Sequence, residues 1–216
     1  MRAFRLVILA TMLACLAGFV LPVGQASAAE FRSGDITTIP STETIDDDLY
    51  ITGREVNIAG RVTGDVIAVA GEVNVTGQIE GSLQVIGGTL DITGDVGGSV
   101  RAAGGDVTIS GDVGRDVIMA SGSLTVRSGG AIDGELLIAG NDIEVLGPVS
   151  GDIRGVASTL TIDARVGGDV DVTADEVVLL SKARVVGDLI YASDESASIA
   201  TGAQVTGETT RTEPSQ

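Results

Sequence analysis

The residues that could do chemistry in this chain form a column of acidic side chains at a nearly constant spacing. They recur in steps of 17 or 19 residues, at Asp48, Asp65, Asp116, Glu135, Asp152, Asp169 and Asp188, with Ser82 and Ser99 filling two of the steps. Stacked repeats would place neighbouring carboxylates about 4.8 Å apart, where like charges repel unless hydrogen bonds or cations offset the cost. Two hypotheses follow: each carboxylate accepts hydrogen bonds from amides of its own turn, or the column is a Ca²⁺-binding ridge. The serines and the absence of the nine-residue calcium repeat favour the first.

The composition argues against catalysis and against nucleic-acid binding. The 216 residues include no histidine and one cysteine, which excludes Ser-His-Asp and Cys-His nucleophiles and imidazole metal ligands. With 13 basic against 30 acidic residues the net charge is −17, so little is present to neutralise phosphates. A glycosidase groove would need aromatic sugar contacts, and beyond residue 28 the only aromatic residues are Phe31, Tyr50 and Tyr191. We therefore expect no enzyme activity, no cofactor and no nucleic-acid partner.

The first 28 residues have the pattern of a secretory signal peptide. Arg2 and Arg5 precede a long apolar run, and small residues follow it, which predicts cleavage after Ala28 or Ala29. An uncleaved membrane anchor is the alternative, so membrane attachment is left open. The only cysteine, Cys15, lies in this segment, and the mature chain would have no thiol. We expect an exported protein that is periplasmic, on the cell surface or extracellular.

The rest of the chain is one repeat copied about nine times. Windings begin at Asp48, Asp65, Ser82, Ser99, Asp116, Glu135, Asp152, Asp169 and Asp188. Counted from these residues, aliphatic side chains recur at positions 2, 4, 9, 11 and 15, and glycines recur at positions 7, 13 and 17. Gaps of two residues indicate strands with alternating inward and outward side chains, and the glycines indicate corners between them.

This spacing predicts an all-β fold, a three-sided parallel β-helix of about nine windings of about 17 residues. Each winding buries nothing by itself, so stability must arise between neighbouring windings. The inward columns are the predicted core, and they include Val66, Val73, Val75, Leu83, Leu90, Ile92, Val100, Val107, Ile109, Val117, Leu124 and Val126. Two windings carry corners that are two residues longer, at 127–131 and 180–184, after which the core columns resume in phase.

The predicted domain organisation has four parts. Residues 1–28 are the signal peptide, residues 29–47 a lead-in and N-terminal cap, residues 48–207 the β-helix, and residues 208–216 a disordered tail. The two ends of such a solenoid expose unpaired strand edges, which must be capped or paired with another chain.

The repeat resembles the bactofilins, a family of polymer-forming cytoskeletal proteins. The resemblance lies in the V-x-V strands, the recurrent Gly-Asp corners, and the lead-in 34–40 followed by 46–50, which is similar to the exported branch of that group. It implies a right-handed triangular β-helix that polymerises end to end without nucleotide. The expected function is a non-enzymatic scaffold of the cell envelope, with further copies of itself as the partner. The alternative is a monomeric secreted adhesin or ligand-binding module, which would use Ca²⁺ or the outward polar column at position 10, formed by Asn57, Asn74, Thr108, Thr125 and Thr161.

Overall fold

The structure, a computed structural model, describes residues 29–213, and within that range the chain is all β without a helix. The predicted signal peptide, with Cys15 and the cleavage position Ala28, lies outside the described residues; Ala29 is the first residue within them. Between residues 29 and 213 no helix is long and apolar enough to cross a membrane.

Eight ten-residue strands form the body of the molecule. Valine, isoleucine and leucine at alternate positions favour extended backbone, because their branched side chains pack well on a pleated surface. The strands are β4 (Leu49–Ile58), β6 (Val66–Val75), β8 (Leu83–Ile92), β9 (Val100–Ile109), β10 (Val117–Val126), β11 (Leu136–Val145), β12 (Ile153–Ile162) and β14 (Val170–Leu179).

Shorter strands complete the turns and close the two ends. They are β1 (Glu30–Ser33), β2 (Ile36–Ile39), β3 (Thr44–Ile45), β5 (Arg61–Val62), β7 (Gln78–Ile79), β13 (Arg165–Val166), β15 (Arg184–Val185), β16 (Leu189–Ala192), β17 (Ser198–Ile199), β18 (Gln204–Val205) and β19 (Thr209–Thr212). The short strands β3, β5 and β7 form one parallel sheet and β13, β15 and β18 another. Isolated bridges from Ile79 to Val166 join these two sheets into one continuous ladder.

The stacking is that of a parallel β-solenoid. The main sheet follows the order β1-β4-β6-β8-β9-β10-β11-β12-β14-β16-β19, so each strand pairs with its equivalent one turn later, always in parallel. Its eleven strands correspond to about eleven turns, a rod of about 53 Å at about 4.8 Å per turn. The predicted β-helix is therefore confirmed, while its right hand and its three faces stay predictions.

The core runs along the solenoid axis as continuous aliphatic columns. Val73 pairs with Leu90, and Leu90 pairs with Val107, so these three residues occupy one column. All twelve residues named above as predicted core are at most 2% exposed. Burial of this kind in every turn gives each turn its main stabilisation against its two neighbours.

Each long strand reverses its inward side near its middle, and in six of the eight strands a glycine lies at this bend, β12 and β14 being the exceptions. In β6, Val66 and Ala68 are buried before the bend, and Val73 and Val75 are buried after it. The gap of five residues between Ala68 and Val73 spans Gly71, where a Cβ would lie 2.9 Å from the Arg54 carbonyl oxygen. A side chain at Gly71 would therefore press on the backbone of the preceding turn.

The solenoid is longer at both ends than the sequence predicts. The segment 29–47, expected to be a cap folded over the first winding, forms a turn in register with the next one through β1, β2 and β3. The tail from residue 208, expected to be disordered, begins with β19, which pairs with β16. About eleven turns therefore replace the predicted nine.

The longer corners share one local structure. At each, a backbone N–H donates to the carbonyl oxygen three residues earlier, as from Gly130 to Arg127 at 3.1 Å and from Ala183 to Leu180 at 3.0 Å. The first turn has the same bond at its own corner, from Glu43 to the Pro40 carbonyl oxygen at 2.9 Å. Extra residues are thus held in a tight turn, and the core columns keep their register.

Candidate functional site

The acidic column is a ladder of hydrogen bonds between turns. The Asp48 carboxylate accepts from the Asp65 amide at 2.8 Å, and the Asp65 carboxylate accepts from the Ser82 amide at 2.7 Å. The same bond recurs from the next turn's amide to Ser82, Asp116, Asp152, Asp169 and Asp188, at 2.8 to 3.3 Å. Each of these side chains therefore ties its own turn to the amide of the next turn.

Five of the seven acidic residues follow a glycine, and such glycines make room for this bond. A Cβ on Gly168 would lie 1.9 Å from Asp152 Oδ1, and a Cβ on Gly187 would lie 2.0 Å from Asp169 Oδ1. The recurrent Gly-Asp pair is thus one device: the aspartate of one turn fills the space that the glycine of the next turn leaves free. We refer to this arrangement as the Gly-Asp ladder.

The geometry corrects one expectation and bears on another. The capping hypothesis placed each carboxylate on amides of its own turn, whereas it accepts from the following turn, because parallel stacking brings that amide closest. Within residues 29–213, no group of three or more acidic, histidine or cysteine side chains is arranged to hold a metal ion. Each aspartate also commits one oxygen to the backbone, so the ladder offers a cation fewer ligand atoms than its sequence suggests.

The N-terminal end of the core is closed by charged side chains. In β1, Glu30 and Arg32 occupy the inward positions over Leu49 and Ile51. Arg32 forms a salt bridge with Glu30, and its Nη2 also lies 2.6 Å from Glu43 Oε1. The hydrogen bond to Glu30 raises the pKa of Arg32, so its charge persists at every ordinary pH. We call this group the N-terminal lid.

The C-terminal end is closed in a similar way. In β19, Thr209 and Arg211 stand over Leu189 and Tyr191, where earlier turns have aliphatic residues. Arg211 Nε donates to the Ser193 carbonyl oxygen at 2.9 Å, and its Nη1 donates to Ser196 Oγ at 3.3 Å, in the loop after β16. We call this group the C-terminal lid.

One side of the exterior carries a continuous row of apolar residues. Position 5 is apolar in six consecutive turns, which pair in register through Val69, Ile86, Ala103, Ala120, Ala139 and Val156. Ile67, Ile118 and Leu137 at position 3 widen the row, and an open groove of about 470 Å³ lies over it. Ile86 is 60% exposed, Val156 52% and Val69 46%. We call these nine residues the apolar strip.

Sequence reasoning missed the apolar strip and gave weight to the polar column at position 10. In that column Asn74 donates to Asn57 Oδ1 at 3.1 Å, but Asp91 follows them in register and breaks the series. The signal for the strip is visible in the sequence, since strand alternation predicts polar residues at positions 3 and 5 of a solvent-facing side.

Comparison with known proteins found no similar protein. No protein-family model, no curated protein and no solved structure matches this chain. The resemblance to bactofilins therefore stays a prediction from the repeat.

Proposed function

We propose that this chain is a non-enzymatic structural scaffold, exported by its N-terminal segment to the periplasm, the cell surface or the extracellular space. The observation that supports this most directly is the use made of the recurrent acidic residues. Six of the seven carboxylates bind the backbone of the next turn, and so they build the rod rather than form a site. The seventh, Glu135, forms a salt bridge with Arg154 at 3.3 Å. A stack of about eleven turns is suited to holding partners at fixed spacing.

The partner in this proposal is a further copy of the same chain. End-to-end polymerisation is what the resemblance to bactofilins suggests, and the edge strands β1 and β19 each have one side without a paired strand among residues 29–213. The two lids oppose direct stacking of one core on another, because they would bury Arg32 or Arg211 against an aliphatic column. Association along the sides of the rod avoids this cost.

Sedimentation velocity and electron microscopy of the mature protein, from Ala29 onward, test the scaffold. We expect assemblies larger than a monomer that grow with protein concentration. A sharp monomer at all concentrations, with and without salt and Ca²⁺, overturns the proposal.

A variant with an opened end separates the two modes of assembly. Replacing Glu30 and Arg32 by valine continues the core columns above Leu49 and Ile51 and exposes them at the N-terminal end. We expect this variant to form end-on oligomers that the native protein does not form. Filaments of equal length from both proteins would show that the N-terminal lid does not close that end.

The second candidate function is the monomeric ligand-binding module. A polar groove of about 230 Å³ favours it, lined mainly by position 8 and position 10 side chains that include Thr125, Asp142, Glu144 and Thr161. A monomer that binds soluble glycans at this groove would support the module and exclude the scaffold.

A further inference from the structure

The apolar strip lies on the outside of the rod, and neither the Gly-Asp ladder nor the lids account for it. Isolated apolar residues on a surface are ordinary, but a contiguous patch of several hundred Å² on a soluble protein marks a contact surface. Six turns at about 4.8 Å, and four residues at about 3.3 Å, give the strip about 29 Å by about 13 Å. We propose that the apolar strip binds the apolar strip of a second copy, with the two solenoid axes antiparallel. This inference rests on the proposed scaffold function and names the surface through which copies meet.

Side-chain size along the strip fits this arrangement. The two copies are related by a two-fold axis that lies between their strips, parallel to the strands and midway between β9 and β10. This axis reverses the order of the turns, so position 5 of each turn faces position 5 of the turn at the same distance on the other side of the axis. Ile86, the most exposed strip residue, then faces an alanine, and the two central rows are alanine on alanine. The facing pairs are Val69–Val156, Ile86–Ala139 and Ala103–Ala120.

Charge along the strip also fits. Arg101 is exposed at position 3 in the middle of the strip and has no ion pair among the described residues. The same axis places it opposite Ile118 of the second copy, two residues from Asp116. Two strand residues span about 6.6 Å, which an arginine side chain can reach. Asp116 uses Oδ1 for the Glu135 amide, and its second oxygen is free to accept from Arg101.

The interruptions of the acidic column point the same way. Ser82 and Ser99 replace acidic residues in two adjacent turns. In the antiparallel pair Ser82 faces Glu135 and Ser99 faces Asp116, so the four central turns avoid facing carboxylates, and the first facing acidic pair is Asp65 with Asp152. An anionic membrane is a poorer occupant, because acidic residues border the strip on both sides, at position 1 and at position 8.

The contact is expected to be weak. The axis lies near the middle of the eleven-strand sheet, so about ten turns overlap, with a flat area of about 600 Å² per copy. Stable dimers bury about 800 Å² per partner, and smaller contacts belong to transient complexes. Because both copies are acidic, salt should strengthen the association by screening their repulsion.

Matched variants test the strip by analytical ultracentrifugation. Ile86→Glu puts a charge at the most exposed strip position without touching the core, and we expect dimer affinity to fall at least tenfold. Adding Ala139→Lys to the same chain should restore it, since each new glutamate then faces a lysine. Ile36→Glu, at an aliphatic residue outside the strip that is 55% exposed, is the control and should leave affinity unchanged.

Engineered cysteines test the orientation, because the only native cysteine lies in the predicted signal peptide. A mixture of Val69→Cys and Val156→Cys proteins should form a disulfide heterodimer. Val69→Cys alone should not, since its two copies lie five turns, about 24 Å, apart and a disulfide spans less than about 7 Å between Cα atoms. Self-association that Ile86→Glu leaves intact would overturn the strip while the scaffold stands. A native protein that never associates would overturn both.

Discussion

The Gly-Asp ladder predicts that one glycine and one aspartate act as a single unit. Asp152→Ala removes the acceptor of the Asp169 amide, a bond of 2.8 Å to a carboxylate, together with a half-exposed ion pair to Arg154 that contributes little. Hydrogen bonds to charged groups contribute about 1.5–3 kcal/mol, so a loss of about 2 kcal/mol is expected. Gly168→Ala should cost a similar amount by another route, because its Cβ would lie 1.9 Å from Asp152 Oδ1 and must displace the same carboxylate.

The double variant decides whether this reasoning holds. Once Asp152 is alanine, the nearest atom left to the new Cβ is the Gly151 carbonyl carbon at 3.0 Å, which needs only a small adjustment. The double variant should therefore lose about as much as either single variant, a coupling of about 2 kcal/mol. Hydrogen exchange of the Asp169 amide measures this locally, with about 30-fold faster exchange expected in all three proteins.

Gly129→Ala is the control for the substitution itself. Its Cβ would meet nothing closer than the Ser110 carbonyl oxygen at 3.7 Å, so exchange at Asp169 should not change. Additive losses in the Asp152 and Gly168 double variant would refute the ladder as the reason for the glycine.

Two further predictions concern the core and the acidic column. Val107→Asp should destabilise the fold by at least about 4 kcal/mol in urea denaturation, because Val107 is 2% exposed between Leu90 and Leu124. The control, Thr52→Asp on the exterior, should change stability by no more than about 0.5 kcal/mol. Equal effects of the two substitutions would contradict the assigned inward face. Millimolar Ca²⁺ should leave the thermal midpoint unchanged, because the ladder carboxylates already bind backbone amides, and a clear rise would revive the calcium ridge.

The solenoid could be predicted from the sequence because stacking imposes its period directly on the residues. The inward columns need an aliphatic side chain in every turn, and Val73, Leu90 and Val107 show that need at a constant spacing. The two end turns were not predicted, for the opposite reason. At positions 2 and 4 the first of these turns holds Glu30 and Arg32, and the last holds Thr209 and Arg211. These polar residues hide both turns from a hydrophobic pattern, although Ile39 and Ile45 continue the core in the first one.

The partner of each ladder carboxylate could not be predicted, because two amides satisfy the same sequence pattern. A local turn amide and the amide one turn later are both compatible with Asp after Gly. The amide one turn later is selected by the distance between stacked turns and by the space that Gly168, lacking a side chain, leaves for the Asp152 carboxylate. The apolar strip differs, since its signal is present in the sequence at Ile86 and Val156. It is masked because the inward columns are equally aliphatic.

The ends of the rod cover its apolar core with polar side chains, whereas one side of the rod exposes apolar side chains to water. A solenoid can bury apolar area by adding turns, and the two lids stop that growth by placing Arg32 and Arg211 where the core would continue. On the side, the chain keeps Val69, Ile86 and Val156 in contact with water. Threonine also favours strands and occupies position 5 in two other turns, as Thr52 and Thr173. Exposed aliphatic residues in six turns carry a cost in solubility, which an acidic chain offsets only in part. Closed ends with an open apolar side therefore favour the proposed lateral association, in pairs of limited length, over unlimited filaments.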